Sequence, residues 1–235
     1  MRHPGAGPLA LAAIAVLAPA ATAPAAERDK RLQKPFRPTS DYVSRTVEGW
    51  TVRVDGRLLE AEKELGDAAL KLLGHHLFAI ARAIPERPCA ELRKVPVWLA
   101  LDEGTGTAAE YHPSAAWLKE NGHNPDKAKA VELGDARKYL AWSATQPSMV
   151  LHELAHAYHE RVFGYDHPRF KEAYDEAVKG GRYESVLHVS GRTQRHYALT
   201  NPMEYFAEAT EAYFGANDFY PFVRAELRVH DPGAV

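Results

Sequence analysis

The spacing of apolar positions changes several times along the chain. In YVSRTVEGWTVRVDG (42–56), Trp50, Val52 and Val54 alternate with Thr51 and Arg53, and Glu48-Gly49 suits a tight turn. That pattern predicts a β-hairpin. Between Leu58 and Ile84 the step lengthens. Leu65, Ala69, Leu72, Leu73, Leu77, Ile80 and Ile84 recur three or four apart, which predicts a core-facing helix stopped by Pro85. Alternation returns at Val95, Val97, Leu99 and Leu101, a strand with Pro96 near its start or on an edge. The stretch EYHPSAAWLKENGHNPDKAK (110–129) has no period and reads as a long surface loop with one helical turn. A short strand is expected at Ala130 to Leu133, and a helix from about Pro147 to Phe163. ESVLHVSG (184–191) is a short strand or loop, Asn201 to Phe214 a helix, and the segment from Asn217 turns with one short helix. No internal repeat is present. The fold class expected is α+β.

Composition narrows the picture. Charged residues make up 26% and hydrophobic residues 46%, the balance of an ordinary globular chain. With 235 residues the chain can bury a good core, and a net charge of -2 gives no pull towards nucleic acid or an anionic membrane. Arg2 and His3 precede the apolar run Leu9 to Ala18 and the small-residue stretch PAATAPAAE. This reads as a secretory signal peptide over residues 1–26, cut between Ala20 and Ala26, and implies a secreted or periplasmic protein without a stable membrane span in its mature form. Residues 27–40, charged and broken by proline, read as a flexible lead-in, leaving 41–235 as one domain. Cys89 is the only cysteine, in a loop-like setting, so no intramolecular disulfide is available.

Candidate chemistry concentrates in LHELAHAYHERV (151–162). Helical positions i and i+4 share a face, so His152 and His156 can present nitrogens to one ion. Glu153 is offset by about 100°, beside the ion, where a general base belongs. The apolar flanks indicate a buried helix, in which unpartnered His and Glu are costly. The longer pattern HExxHxxGxxH is absent: His159 stands at the Gly position and Val162 at the third His position. His159 reads as a helix-edge histidine, and the adjacent His75 and His76 are a poor chelate. A third ligand must come from elsewhere. NPMEYFAEATEAYFG (201–215) offers Glu204 and Glu208 on one helix face, after an Asn201 cap and Pro202. Asn-x-x-Glu is also a capping box, which would occupy Glu204 with backbone N–H groups. The metal reading has Glu204 as ligand and Glu208 accepting the N–H of a ligand histidine.

HELAH followed by EYFAE, with Glu204 forty-eight positions after His156, resembles the zinc peptidases related to anthrax lethal factor, which include the Pro-Pro endopeptidases. The resemblance spans Gln146 to Gly215 and fades before Ala130. It implies a single zincin-like domain of gluzincin type: a small mixed sheet, an active-site helix and a second, glutamate-bearing helix. It implies one Zn2+ held by His152, His156 and Glu204, with Glu208 in support, where thermolysin-type gluzincins carry Asp. It also implies a tyrosine seven positions before the ligand Glu, here Tyr197, that stabilises the oxyanion or protonates the leaving group. The expected activity is that of a metalloendopeptidase acting on a peptide or protein. The substrate would extend along an edge strand, for which Ala130 to Leu133 is the candidate, with Tyr111, His112, Trp117 and Trp142 as possible cleft aromatics. A catalytically inactive zinc-containing protein that binds peptides or cell wall is the competing reading.

Overall fold

The computed structural model describes residues 36–103 and 106–235; the signal-peptide expectation lies outside them. The predicted hairpin forms from β1 (Tyr42–Val47) and β2 (Trp50–Asp55). Both turn residues take positive φ, Glu48 at 50° and Gly49 at 89°. That geometry matches the twist of paired strands. β2 pairs in parallel with β3 (Val97–Leu99), and β3 in parallel with β5 (Val131–Leu133). Between them in sequence lies β4 (Glu110–Tyr111), antiparallel to β5, giving the order β1-β2-β3-β5-β4. The protein is therefore α+β with a small mixed sheet.

This order corrects the edge-strand expectation. Val131–Leu133 is interior, buried throughout, and β4 is the edge on that side. Strand order depends on distant pairing, which local alternation does not carry. The supposed loop 110–129 is also more ordered than its sequence suggests. It holds β4, the helix α3 (Ala115–Glu120) capped by the Ser114 side chain, and a 3-10 turn at Pro125–Lys127.

Helices pack on one face of the sheet. α1 (Lys63–Ala83) buries Ala69, Leu73, Leu77 and Ile80, as its spacing predicts. Ahead of it runs one helical turn, Gly56–Leu59. α2 (Glu86–Leu92) carries Cys89 buried on a helix, not in a loop. α4 (Ala136–Trp142) has no counterpart in the sequence reading; the Asp135 carboxylate accepts from Arg137 and Lys138 N–H and starts it. Next is α5 (Met149–Tyr158), the HELAH helix, which continues as one π-helical turn, His159–Phe163. α6 (Pro168–Gly180) starts at a proline and ends at Gly181 in the left-handed conformation. α7 (Pro202–Phe214) follows a small hairpin of β6 (Val186–Leu187) and β7 (Thr193–Gln194), and α8 (Arg224–His230) closes the chain. One core cluster joins Trp50, Val52, Val54, Leu99, Val131 and Leu133 of the sheet to Leu73 and Leu77 of α1 and Leu151 and Leu154 of α5.

The end of the expected lead-in is fixed in place. Arg37 pairs with Asp41 and with fully buried Asp55, and Asn124 donates to the Arg37 carbonyl. Among the described residues no helix is long and apolar enough to cross a membrane.

Candidate metal centre

Two helices build the site. α5 turns Met149, Val150, Leu151, Leu154, Ala155 and Ala157 into the protein, which leaves His152, Glu153 and His156 together along one half-buried side. α7 lies against that side. Asn201 caps α7, its side-chain Oδ1 accepting from the Met203 and Glu204 N–H groups. Only that half of the capping box forms, because the Glu204 side chain goes to the histidines instead. The two helices are locked where α5 begins and α7 ends. Ser148 Oγ accepts the Ala216 N–H at 3.1 Å. A Cβ on Gly215 would stand 2.6 Å from that oxygen, so the approach requires glycine.

Three donor atoms converge. Glu204 Oε2 lies 3.0 Å from His152 Nε2 and 3.2 Å from His156 Nε2, and the two nitrogens are 3.1 Å apart. The imidazole planes are crossed at 81°. Around a tetrahedral ion with bonds of about 2.0–2.1 Å, donors stand about 3.3–3.4 Å apart. The observed triangle is within a few tenths of an ångström of that. These residues could hold a small divalent ion on two nitrogens and one carboxylate, leaving one position open.

No protein-family model, curated protein or solved structure matches this chain.

Behind the triangle the His152 ring meets a carboxylate that the sequence reading missed. Its Nδ1 lies 2.6 Å from Glu211 Oε1, whereas Glu208 Oε1 is 3.6 Å away. Glu208 instead accepts from the Asn217 amide at 2.8 Å and faces His196 Nδ1 at 3.8 Å. The expected partner is thus corrected by one helical step, from Glu208 to Glu211. Both are buried, and Glu204, Glu208 and Glu211 follow an i, i+4, i+7 spacing that puts all three on one face. That spacing was the available signal.

Electrostatics follow from burial and contact. Burial pushes the His152 pKa down, but hydrogen bonds with Glu204 and Glu211 more than reverse it and hold it well above the usual imidazole range. Burial pushes Glu204 up; its bonds from His152 and His156 overcome this and keep it well below the carboxylate range. Burial raises Glu208 and Glu211, and each also feels neighbouring acid charge.

Glu153 sits beside the triangle and accepts the Tyr111 backbone N–H at 2.7 Å, tying α5 to the edge strand. Tyr197 has its ring centroid 6.4 Å from that of His152; burial and the Glu204 charge push its phenol up to about 12. A second tyrosine, Tyr165, follows the π-helical turn with its hydroxyl 3.5 Å from the His156 carbonyl. His159 is fully buried among Tyr165, Phe170 and Phe206, so it belongs to an aromatic cluster and to neither the metal site nor the helix edge. Of the expected cleft aromatics, Tyr111 lies on the edge strand with its hydroxyl on Glu160, and Trp117 is half exposed. His112 is buried on the far face, and Trp142 packs against the main core.

Proposed function

We propose that the protein is a zinc-dependent metallopeptidase of the lethal-factor-like, zincin type, holding one Zn2+ on His152, His156 and Glu204. The observation that carries this reading is the triangle of 3.0, 3.1 and 3.2 Å drawn from two helices, with the Glu153 carboxylate held at its side by the Tyr111 N–H. Two imidazoles and a carboxylate are a donor set suited to catalytic zinc. The next carboxylate along α5, Glu153, has no place in holding the ion and is positioned for proton transfer. A purely structural zinc centre closes all four positions with protein ligands, which weighs against the inactive binding protein.

When bound, zinc supplies Lewis acidity and brings the pKa of water from about 15.7 towards about 7. The chain's own groups do the rest. Glu153 takes the proton of the attacking water and hands it to the departing amine. Tyr197, its hydroxyl kept protonated by a raised pKa, donates to the oxyanion that develops on the scissile carbonyl. Glu211 fixes the His152 ring so that Nε2 faces the ion. Peptide is read as the substrate because β4 leaves an open strand edge beside Glu153, where an extended chain can add to the sheet.

The test is cleavage of a peptide library by the protein lacking residues 1–26, with and without chelator, beside Glu153→Gln. Cleavage lost to chelator and to the substitution supports the reading. Cleavage that survives both rules it out.

A further inference from the structure

Tyr197 has a counterpart at the other histidine. Gly164, at φ 79°, turns the chain back after the π-helical turn. Tyr165 then lies over the end of α5, its hydroxyl 3.5 Å from the His156 carbonyl. The ring is fixed from behind. It stands edge-on to His159 at 5.3 Å, and His159 packs on Phe170 of α6 and Phe206 of α7 at 4.8 and 4.7 Å. The side chain is half-buried. Burial, with the charges of Glu160, Glu153 and Glu204, pushes its phenol well above the usual range, so the proton stays on. The hydroxyl therefore sits within reach of the base and of a metal-ligand carboxylate, on the His156 side of the triangle, while Tyr197 lies beside the His152 ring.

The hydroxyl is held in place but poorly satisfied. Its 3.5 Å contact with the His156 carbonyl is at the outer limit of a hydrogen bond. Glu160 is already engaged on both oxygens, by Tyr111 and by Lys129. A half-buried donor in this state gains from a better acceptor. Glu160, Glu153 and Glu204 repel an anionic one, whereas an uncharged carbonyl is admitted. Resting on the peptidase reading above, we propose that Tyr165 is a substrate-binding residue whose O–H donates to a backbone carbonyl of the peptide other than the scissile one. The two phenols differ by place. Tyr197 stands at a ligand ring, where charge develops during the reaction. Tyr165 stands at the backbone of α5, where its contact with the peptide is the same before and during the reaction. Uniform binding of that kind lowers KM without raising kcat.

The deciding experiment has two arms and uses a peptide that the unmodified protein cleaves. In the first, Tyr165→Phe deletes the hydroxyl and keeps the ring on His159. We expect KM to rise about 3- to 10-fold, with kcat, bound zinc and Tm unchanged. A fall in kcat at constant KM would put the hydroxyl on the reacting carbonyl and overturn the proposal. In the second, both proteins meet a thioamide scan of the peptide, in which sulfur, a weak acceptor, replaces one backbone oxygen at a time. One position should raise KM for the unmodified protein and not for Tyr165→Phe; the same profile in both contradicts the proposal. If Tyr165→Phe does not fold, Tyr165→Met, which keeps apolar bulk against the aromatic cluster, replaces it in both arms. Chelator-sensitive cleavage with KM unchanged by the substitution removes this inference and leaves the peptidase reading standing. If the unmodified protein shows no chelator-sensitive cleavage of any peptide, that reading fails and the inference goes with it.

Discussion

Two of the buried charge clusters among the described residues lie on opposite faces of the sheet and are built differently. On the far face, Lys127 is 1% exposed and donates to Glu132, itself 1% exposed, and to Glu103. The second Glu132 oxygen takes His112 Nε2 at 2.7 Å. Burial would raise Glu132, yet His112 and Lys127 hold it below the usual carboxylate range. That cluster carries its own permanent cation. Around His152 there are Glu153, Glu204, Glu208, Glu211 and, further back, Asp218, and among the described residues no lysine or arginine lies within 4 Å of any of them. Burying carboxylates without a counter-charge is costly. The far-face cluster has a lysine among its carboxylates, whereas the one between α5 and α7 has none within 4 Å among the described residues. On the zinc proposal, a bound divalent ion supplies the counter-charge that the chain itself does not.

The sharpest ways to break this comparison act at the site. His156→Ala should abolish stoichiometric zinc in the purified protein and reduce peptide cleavage to background. Glu153→Gln should keep the zinc and lose about 10²- to 10⁴-fold in kcat. Zinc assay beside a cleavage assay distinguishes the two. On the far face, Lys127→Met removes the only lysine or arginine paired with Glu103 and Glu132 among the described residues. It should cost about 3–5 kcal/mol of stability, since buried Glu132 loses its lysine and keeps only His112, and should leave zinc affinity untouched. Urea unfolding beside chelator competition checks both halves.

A finer distinction lies within α7. Glu211→Ala should weaken zinc binding about 10- to 100-fold by freeing the His152 ring. Glu208→Ala should instead loosen the Asn217 segment, lowering thermal stability with affinity nearly unchanged. Equal losses of affinity in the two variants would remove the assignment of Glu211.

A last effect is on pH dependence. His159 and His196 are buried, and burial lowers their pKa from 6.5 to about 4 and about 3. Both stay neutral in the folded chain while the unfolded chain takes up protons from pH 6.5 downwards. Stability is therefore full above 6.5 and falls as pH drops towards 4, by up to about 1.4 kcal/mol per pH unit for each histidine. Neither ring nitrogen of His159 has a hydrogen-bond partner among the described residues, so His159→Phe should flatten part of that slope in urea titrations across this range.

What could be read from sequence was whatever depends on spacing within one element. The i, i+4 pair on α5, the capped start of α7 and the Glu48-Gly49 turn are of this kind, and all appear where expected. What failed depends on how elements meet. Ala130 to Leu133 alternates like any strand, and nothing local reveals that β4 lies outside it. Glu208 and Glu211 share a face, and only the approach of α5 selects the latter for His152. The π-helical turn at His159–Phe163 has no sequence signature of its own, and it re-aims Glu160 towards Tyr111 and Lys129.

The most direct test is crystallographic: anomalous scattering recorded across the zinc absorption edge from crystals grown with zinc. The account predicts one strong peak between α5 and α7, about 2.0–2.1 Å from His152 Nε2, His156 Nε2 and a Glu204 carboxylate oxygen. A peak lying elsewhere, or Glu204 turned to solvent while zinc sits on the histidines alone, would contradict it.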